Sequence, residues 1–172
     1  MIRDMSKNNG FTLIELIVSF SIFVVLITLT TGTFIQALKT QRVVSGLSAS
    51  LNDVSFVTEQ MAREIRTGTN FGNADSEQKS LRFINANKEQ IIYRFKEVGK
   101  RIERCRLPAG APEECNDLTS PEVTINRLNF ILQGNRPGEG APRITIITSV
   151  TDPEGIGINV NLQTTVSARN ID

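Results

Sequence analysis

Histidine and tryptophan are absent from this 172-residue chain, and tyrosine occurs once. Without imidazole, serine-histidine and cysteine-histidine nucleophilic arrangements are excluded, and the commonest general acid-base group and metal ligand is missing. Cysteine is scarce too: Cys105 and Cys115 supply only half of the usual four zinc ligands. Neither sign of charge is in excess, since 19 basic and 18 acidic residues leave a formal net charge of +1. A nearly neutral chain has no general electrostatic attraction to nucleic acid, so any such contact needs a local patch. There is no glycine-rich phosphate loop and no recognisable nucleophile motif. No catalytic residue, cofactor or metal is therefore expected, and a membrane-tethered enzyme is the weakest reading.

What the chain has is one long apolar run. From Leu16 to Leu38 no charged residue occurs over 23 positions, enough for a helix of about 35 Å that crosses a bilayer. An ordinary secretory signal has a short apolar region followed by a small-residue cleavage site, whereas here a glycine, Gly10, precedes the run, so the run is expected to stay on the mature protein. One carboxylate, Glu15, sits near its start. A charge inside a membrane span costs about 2.5 to 3.5 kcal/mol on insertion scales, which implies a partner or a task. Snorkelling to the headgroups is the bland alternative. Arg3, Asp4 and Lys7 before the run, and Lys39 and Arg42 after it, leave orientation nearly even by charge.

The stretch Gly10-Phe11-Thr12-Leu13-Ile14-Glu15 resembles the processing and methylation signature of type IV prepilins and type II secretion pseudopilins. That resemblance implies that a prepilin peptidase cuts between Gly10 and Phe11 and that Phe11 becomes an N-methylated amino terminus. It implies that Glu15 forms an assembly salt bridge to the amino terminus of a neighbouring subunit. It further implies a cytoplasmic leader, a single pass of the inner membrane and an extracytoplasmic body, later carried into a pilus or pseudopilus. The implied partners are the peptidase and methylase, other pilins or pseudopilins, and the inner-membrane assembly platform. A body outside the cytoplasm exposes Cys105 and Cys115 to oxidising conditions, which favours a disulfide over two free thiols.

Beyond the anchor, Val44, Leu47, Leu51, Val54, Met61 and Ile65 step by three and four, with Thr58 in the vacant slot, as an amphipathic helix requires. Gly68 marks its end. Residues 71–80 read as a polar loop. Leu81–Ile84, Gln90–Phe95 and Arg101–Arg104 then suggest a three-strand meander, followed by a polar loop holding both cysteines. Val123–Leu132 is strand-like, with a change of phase between Ile125 and Leu128 that suggests a bulge. After a turn over 134–142, Arg143–Val150 and Ile156–Ala168 complete five or six antiparallel strands.

One long helix and an antiparallel sheet make an α+β protein, the plan of the pilin fold. The expected division is 1–10 leader, 11–38 membrane and filament-core helix, 39–68 amphipathic helix, and 69–172 antiparallel β-sheet domain. The order of elements, with Met61-Ala62-Arg63-Glu64-Ile65-Arg66 and Leu162-Gln163-Thr164-Thr165-Val166-Ser167, looks like J-type minor pseudopilins and related minor pilins. Four further features have a functional and an ordinary reading. Thr28-Leu29-Thr30-Thr31-Gly32-Thr33 is a weak helix former that either loosens on leaving the bilayer or bonds back to its own backbone. Asn73, Asp75 and Glu77 begin like a calcium loop but lack its glycine and distal glutamate. Asp152-Pro153-Glu154-Gly155 and Glu113-Glu114 read as solvated turns. Lys96, Lys100, Arg101, Arg104 and Arg106 form a basic stretch whose ordinary role is the wet side of strands, with DNA contact by a tip subunit as the alternative.

Overall fold

The computed structural model describes residues 10–73, 75–134, 140–151 and 157–169. The leader before Gly10, part of the 134–142 turn, and Asp152–Gly155 with Ile156 lie outside the described residues. The chain forms two compact units, Met1–Arg42 and Val43–Asp172. A 54-residue helix, α1 (Leu13–Arg66), contributes to both.

In the first unit α1 is long and apolar enough to cross a membrane, and its large side chains are exposed throughout, Phe20 at 64% and Leu29 at 63%. The threonine-rich segment continues the helix. Thr28 donates to the Val24 carbonyl at 2.8 Å, Thr30 to Leu26 at 2.9 Å and Thr33 to Thr30 at 2.9 Å. Each hydroxyl is thus satisfied without a partner chain, which removes the desolvation penalty of a polar group in lipid.

In the second unit the described residues include eight strands, in two antiparallel sheets. The first has five strands in chain order: β1 (Thr69–Asn73), β2 (Ser80–Ile84), β3 (Gln90–Lys96), β4 (Arg101–Leu107) and β5 (Glu114–Asp117). The second has three: β6 (Thr124–Gln133), β7 (Arg143–Thr151) and β8 (Asn159–Ser167). The expected five or six strands are therefore eight. β1 occupies part of the stretch expected to be a loop, and β5 part of the cysteine loop. The register of β6 against β7 shifts between Ile125 and Arg127, a bulge where the apolar phase changes.

The apolar face of the α1 segment packs with both sheets in one core. Val54, Val57, Met61 and Ile65 meet Phe71, Leu81, Phe83, Ile91, Tyr93 and Ile102 of the first sheet and Ile125, Phe130, Ile144 and Val166 of the second. Three rings stack within it, Phe71 on Phe83 and Phe83 on Tyr93, each pair with centroids 5.7 Å apart. The expected stripe needs one correction: Val43 is buried while Val44 is 56% exposed. Val43 lies eleven residues, three helical turns, before Val54 and so shares its face, whereas Val44 is turned some 100° away.

Gly68 follows the helix for a reason of space. A Cβ there would approach Phe83 Cδ2 to 2.6 Å and Phe71 Cζ to 3.2 Å, so the chain can pass over the ring stack only where no side chain intervenes. The left-handed residue after the helix is Asn70, with φ 55°, a conformation that asparagine tolerates better than most.

Candidate functional site

The amino-terminal motif forms a capped helix start. Thr12 precedes α1, and the Glu15 backbone N–H donates to Thr12 Oγ1 at 3.4 Å. The Glu15 carboxylate in turn accepts from the Thr12 hydroxyl at 3.2 Å and from its backbone N–H at 3.5 Å. This is the reciprocal capping box, Thr-x-x-Glu, which satisfies helix donors that have no intrahelical partner. The carboxylate also sits in the first turn, where the positive end of the helix dipole favours it. Glu15 therefore has a local task within its own chain. Gly10 and Phe11 lie just outside the helix and are exposed. A Cβ on Gly10 would meet nothing within 4 Å, so the chain's own packing does not demand glycine there.

A second constellation stands on Glu64, in the last turn of α1, well beyond the apolar span. Arg104 donates to both its carboxylate oxygens, at 2.6 and 3.0 Å. The Tyr93 hydroxyl donates to one oxygen, and Asn85 Nδ2 to the other at 3.1 Å. Tyr93 and Arg104 are direct partners across β3 and β4, which brings them side by side beneath the helix. Asn85 is fixed by the β2–β3 turn, where its Oδ1 accepts the N–H groups of Asn87 and Glu89, each at 3.0 Å. Burial pushes the Glu64 carboxyl up, but bonds from Arg104, Tyr93 and Asn85 outweigh it and leave the group below its ordinary value. Burial first, and the Glu64 carboxylate second, push the Tyr93 phenol far up. The cluster is thus a charged rivet between α1 and the first sheet. Sequence reading passed over Glu64, whose partners lie 21 to 40 residues away.

Cys105 in β4 and Cys115 in β5 are cross-strand partners joined by a disulfide bond. Cys105 is buried and Cys115 exposed, so the bridge fastens an otherwise wholly exposed edge strand to the body. Cleaving it by reduction, or replacing both cysteines by serine, is expected to cost about 2 to 3 kcal/mol in the chain-entropy view of a short loop. Thermal unfolding with and without reductant measures this; identical midpoints would contradict it.

Carboxylates answer most of the basic stretch. Lys96 and Arg101 reach Asp117 at 3.0 and 2.9 Å, and Arg106 reaches Glu89 and Glu114 at 2.9 and 2.7 Å. The Lys100 carbonyl accepts the Ile125 N–H at 2.9 Å. A polyanion would have to displace these acids, so the stretch is a laced surface ladder more than a cationic patch. Asp75 accepts the Lys79 backbone N–H at 2.9 Å, and Glu77 pairs with the Lys79 amine at 2.7 Å. Glu103, Cys105 and Cys115 lie close together, but both sulfurs are spent in the disulfide and Glu103 is paired with Arg94.

A long apolar amino-terminal helix packed on antiparallel sheets is a pilin-like α+β architecture. Residues 5–31 match the family model described as the prokaryotic N-terminal methylation motif, which supports kinship with type IV pilins and pseudopilins and hence processing by a prepilin peptidase. No curated protein and no solved structure matches the chain.

Proposed function

We propose that this chain is a minor, filament-initiating subunit of a type IV pilus or type II secretion pseudopilus, most like the J-type pseudopilins. The observation that carries the reading is the motif itself: Gly10, Phe11 and Glu15 at the spacing of the methylation signature, ahead of a helix able to enter a membrane. In this reading residues 1–10 are removed, and Phe11 presents a new positive amine close to Glu15. Residues 11–38 leave the bilayer for the filament core, 39–68 carry the body, and 69–172 face outward. Burying an amine and a carboxylate apart costs more than burying them together, so assembly is favoured where one subunit's amine meets another's Glu15. The inner membrane and its assembly platform are the starting place.

Mass spectrometry of the protein from cells with an active peptidase is the test. A chain beginning at N-methylated Phe11 is expected; retention of the first ten residues refutes the reading. Because Gly10 is unconstrained by the fold, Gly10→Leu is expected to leave body stability unchanged within about 0.5 kcal/mol and to abolish cleavage. Normal cleavage of that variant would show that the motif is not read by the peptidase.

A further inference from the structure

The two sheets leave four strand edges, and three are blunted in the usual ways. β5 is four residues long and carries Glu114 and Asp117. β1 is five residues long with an irregular register. The outer side of β6 is engaged, because Phe130 N–H donates to the Gln78 carbonyl at 2.7 Å and Ile125 N–H to that of Lys100 at 2.9 Å. β8 has none of these protections: it runs for nine residues, Asn159–Ser167, without a charge.

Its backbone polarity follows from one bond. Ala168 N–H donates to the Pro142 carbonyl at 2.8 Å, so the even-numbered residues of β8 bond to β7. By antiparallel alternation, Asn161, Gln163, Thr165 and Ser167 turn their N–H and C=O groups to the open side. Among the described residues nothing bonds to those groups. Arg169 N–H, next in that outward series, donates to the Arg66 carbonyl at 2.9 Å, so the end of α1 closes the edge there. Between that flank of α1 and β8 lies a groove of about 380 Å³, lined by Ser55, Thr58, Ala62 and Arg66 on the helix and Leu162 and Thr164 on the strand. Among the described residues the buried Thr58 hydroxyl has no hydrogen-bond partner, an uncommon and costly state unless something else completes it.

We propose that the β8 edge is a docking strand that takes an extended segment of a neighbouring filament subunit as a ninth strand, with alternate side chains of that segment laid into the groove beside Thr58. This rests on the filament reading above. An unpaired row of outward amides and carbonyls is matched without regard to sequence only by another extended backbone. The groove is bounded by α1, the element around which neighbouring subunits pack in that reading. The groove is lined by one residue of each sign, Arg66 at its closed end and Glu59 one to two turns earlier on the helix, while Arg143, the cross-strand partner of Ser167, stands on the opposite face of the sheet. The incoming segment of the neighbouring subunit is therefore selected by its extended backbone, which pairs with the odd-numbered residues of β8, and not by a net charge.

The test uses the full chain with its peptidase and filament system. Residue-resolved amide exchange is measured on protein incorporated in filaments and on the same processed protein extracted as single subunits in detergent. Incorporation is expected to slow Asn161, Gln163 and Thr165 by more than about tenfold, with little change at the already bonded Val160, Leu162 and Thr164. Gln163→Pro deletes one outward donor, a replacement that strand edges tolerate. It is expected to be processed at Phe11 and to lose at least about tenfold in incorporation. Gln163→Lys keeps the backbone and charges the edge, and is expected to keep the Cys105–Cys115 bond and protease resistance while incorporating poorly. Incorporated protein whose odd-numbered amides still exchange fast overturns the proposal, as does wild-type incorporation of both variants or exchange protection explained by a second copy of this chain on β8. A chain that keeps its leader and stays out of filaments overturns the filament reading and this proposal together.

Discussion

Glu15→Ala is expected to be cleaved after Gly10 like the parent chain and to enter filaments about a hundredfold less well. The estimate follows from leaving the Phe11 amine unanswered in an apolar core: about 3 kcal/mol for one unpaired charge is a factor of roughly 100. Alanine also removes the capping box with Thr12, worth about 1 kcal/mol of helix start. Charge and cap must be separated, and Glu15→Gln does so. Glutamine can occupy the same capping position but cannot neutralise an amine. If the pairing account holds, Glu15→Gln incorporates as poorly as Glu15→Ala; quantitative immunoblotting of sheared filaments against membranes reads the difference. Near-normal incorporation of the glutamine variant would reduce Glu15 to a capping residue.

Glu64→Ala is expected to be the most damaging single change in the body. It strands Arg104 beneath the helix and leaves the hydroxyl of buried Tyr93 short of an acceptor, while the Asn85 amide keeps its bond to Glu89. Breaking a fully buried ion pair costs about 3 to 5 kcal/mol. The groove beside Phe56 and Arg63 admits solvent to this one, so about 2 to 3 kcal/mol is expected, roughly a 10 °C fall in Tm for a body of this size. Glu64→Ala combined with Arg104→Met should recover part of the loss, because no buried charge is then left alone. The same cluster fixes an acid limit. The Glu64 carboxyl is held below its ordinary 4.5 in the folded state, so the unfolded chain binds its proton first as pH falls. Its contribution is complete above about pH 5 and is lost as pH drops through the folded value. Thermal melts of Glu64→Gln between pH 3 and 7 should show a shallower acid dependence than the parent; an unchanged slope would dissociate Glu64 from acid unfolding.

Apolar period made much of this fold legible. The stripe ending at Ile65, the β2–β4 meander, the bulge after Ile125 and the final pair of strands all announce themselves by side chains that must leave water. What stayed hidden is held by partners instead of by burial. β5, Glu-Cys-Asn-Asp, has no apolar residue apart from its cysteine and exists because β4 and the disulfide hold it. β1 reads as a loop because Asn70, Gly72 and Asn73 are turn formers, yet Phe71 plugs the ring stack and fixes the strand. Glu64 looks like any exposed helix glutamate, since nothing local distinguishes it from Glu59, which pairs with Arg63 one turn away at the surface. The Thr12–Glu15 box was available as a short pattern, but the membrane context made the carboxylate look partnerless.

The rivet at Glu64 also bears on how a pull is shared. Tension drawn along the last turns of α1 reaches Tyr93, Arg104 and Asn85 at once, on three different segments of the first sheet. Contacts loaded in parallel yield together, as in shear, whereas contacts loaded one after another peel. A subunit fastened in this way would hold or fail as a whole under traction, and severing the glutamate would turn one abrupt rupture into a sequence of small slips.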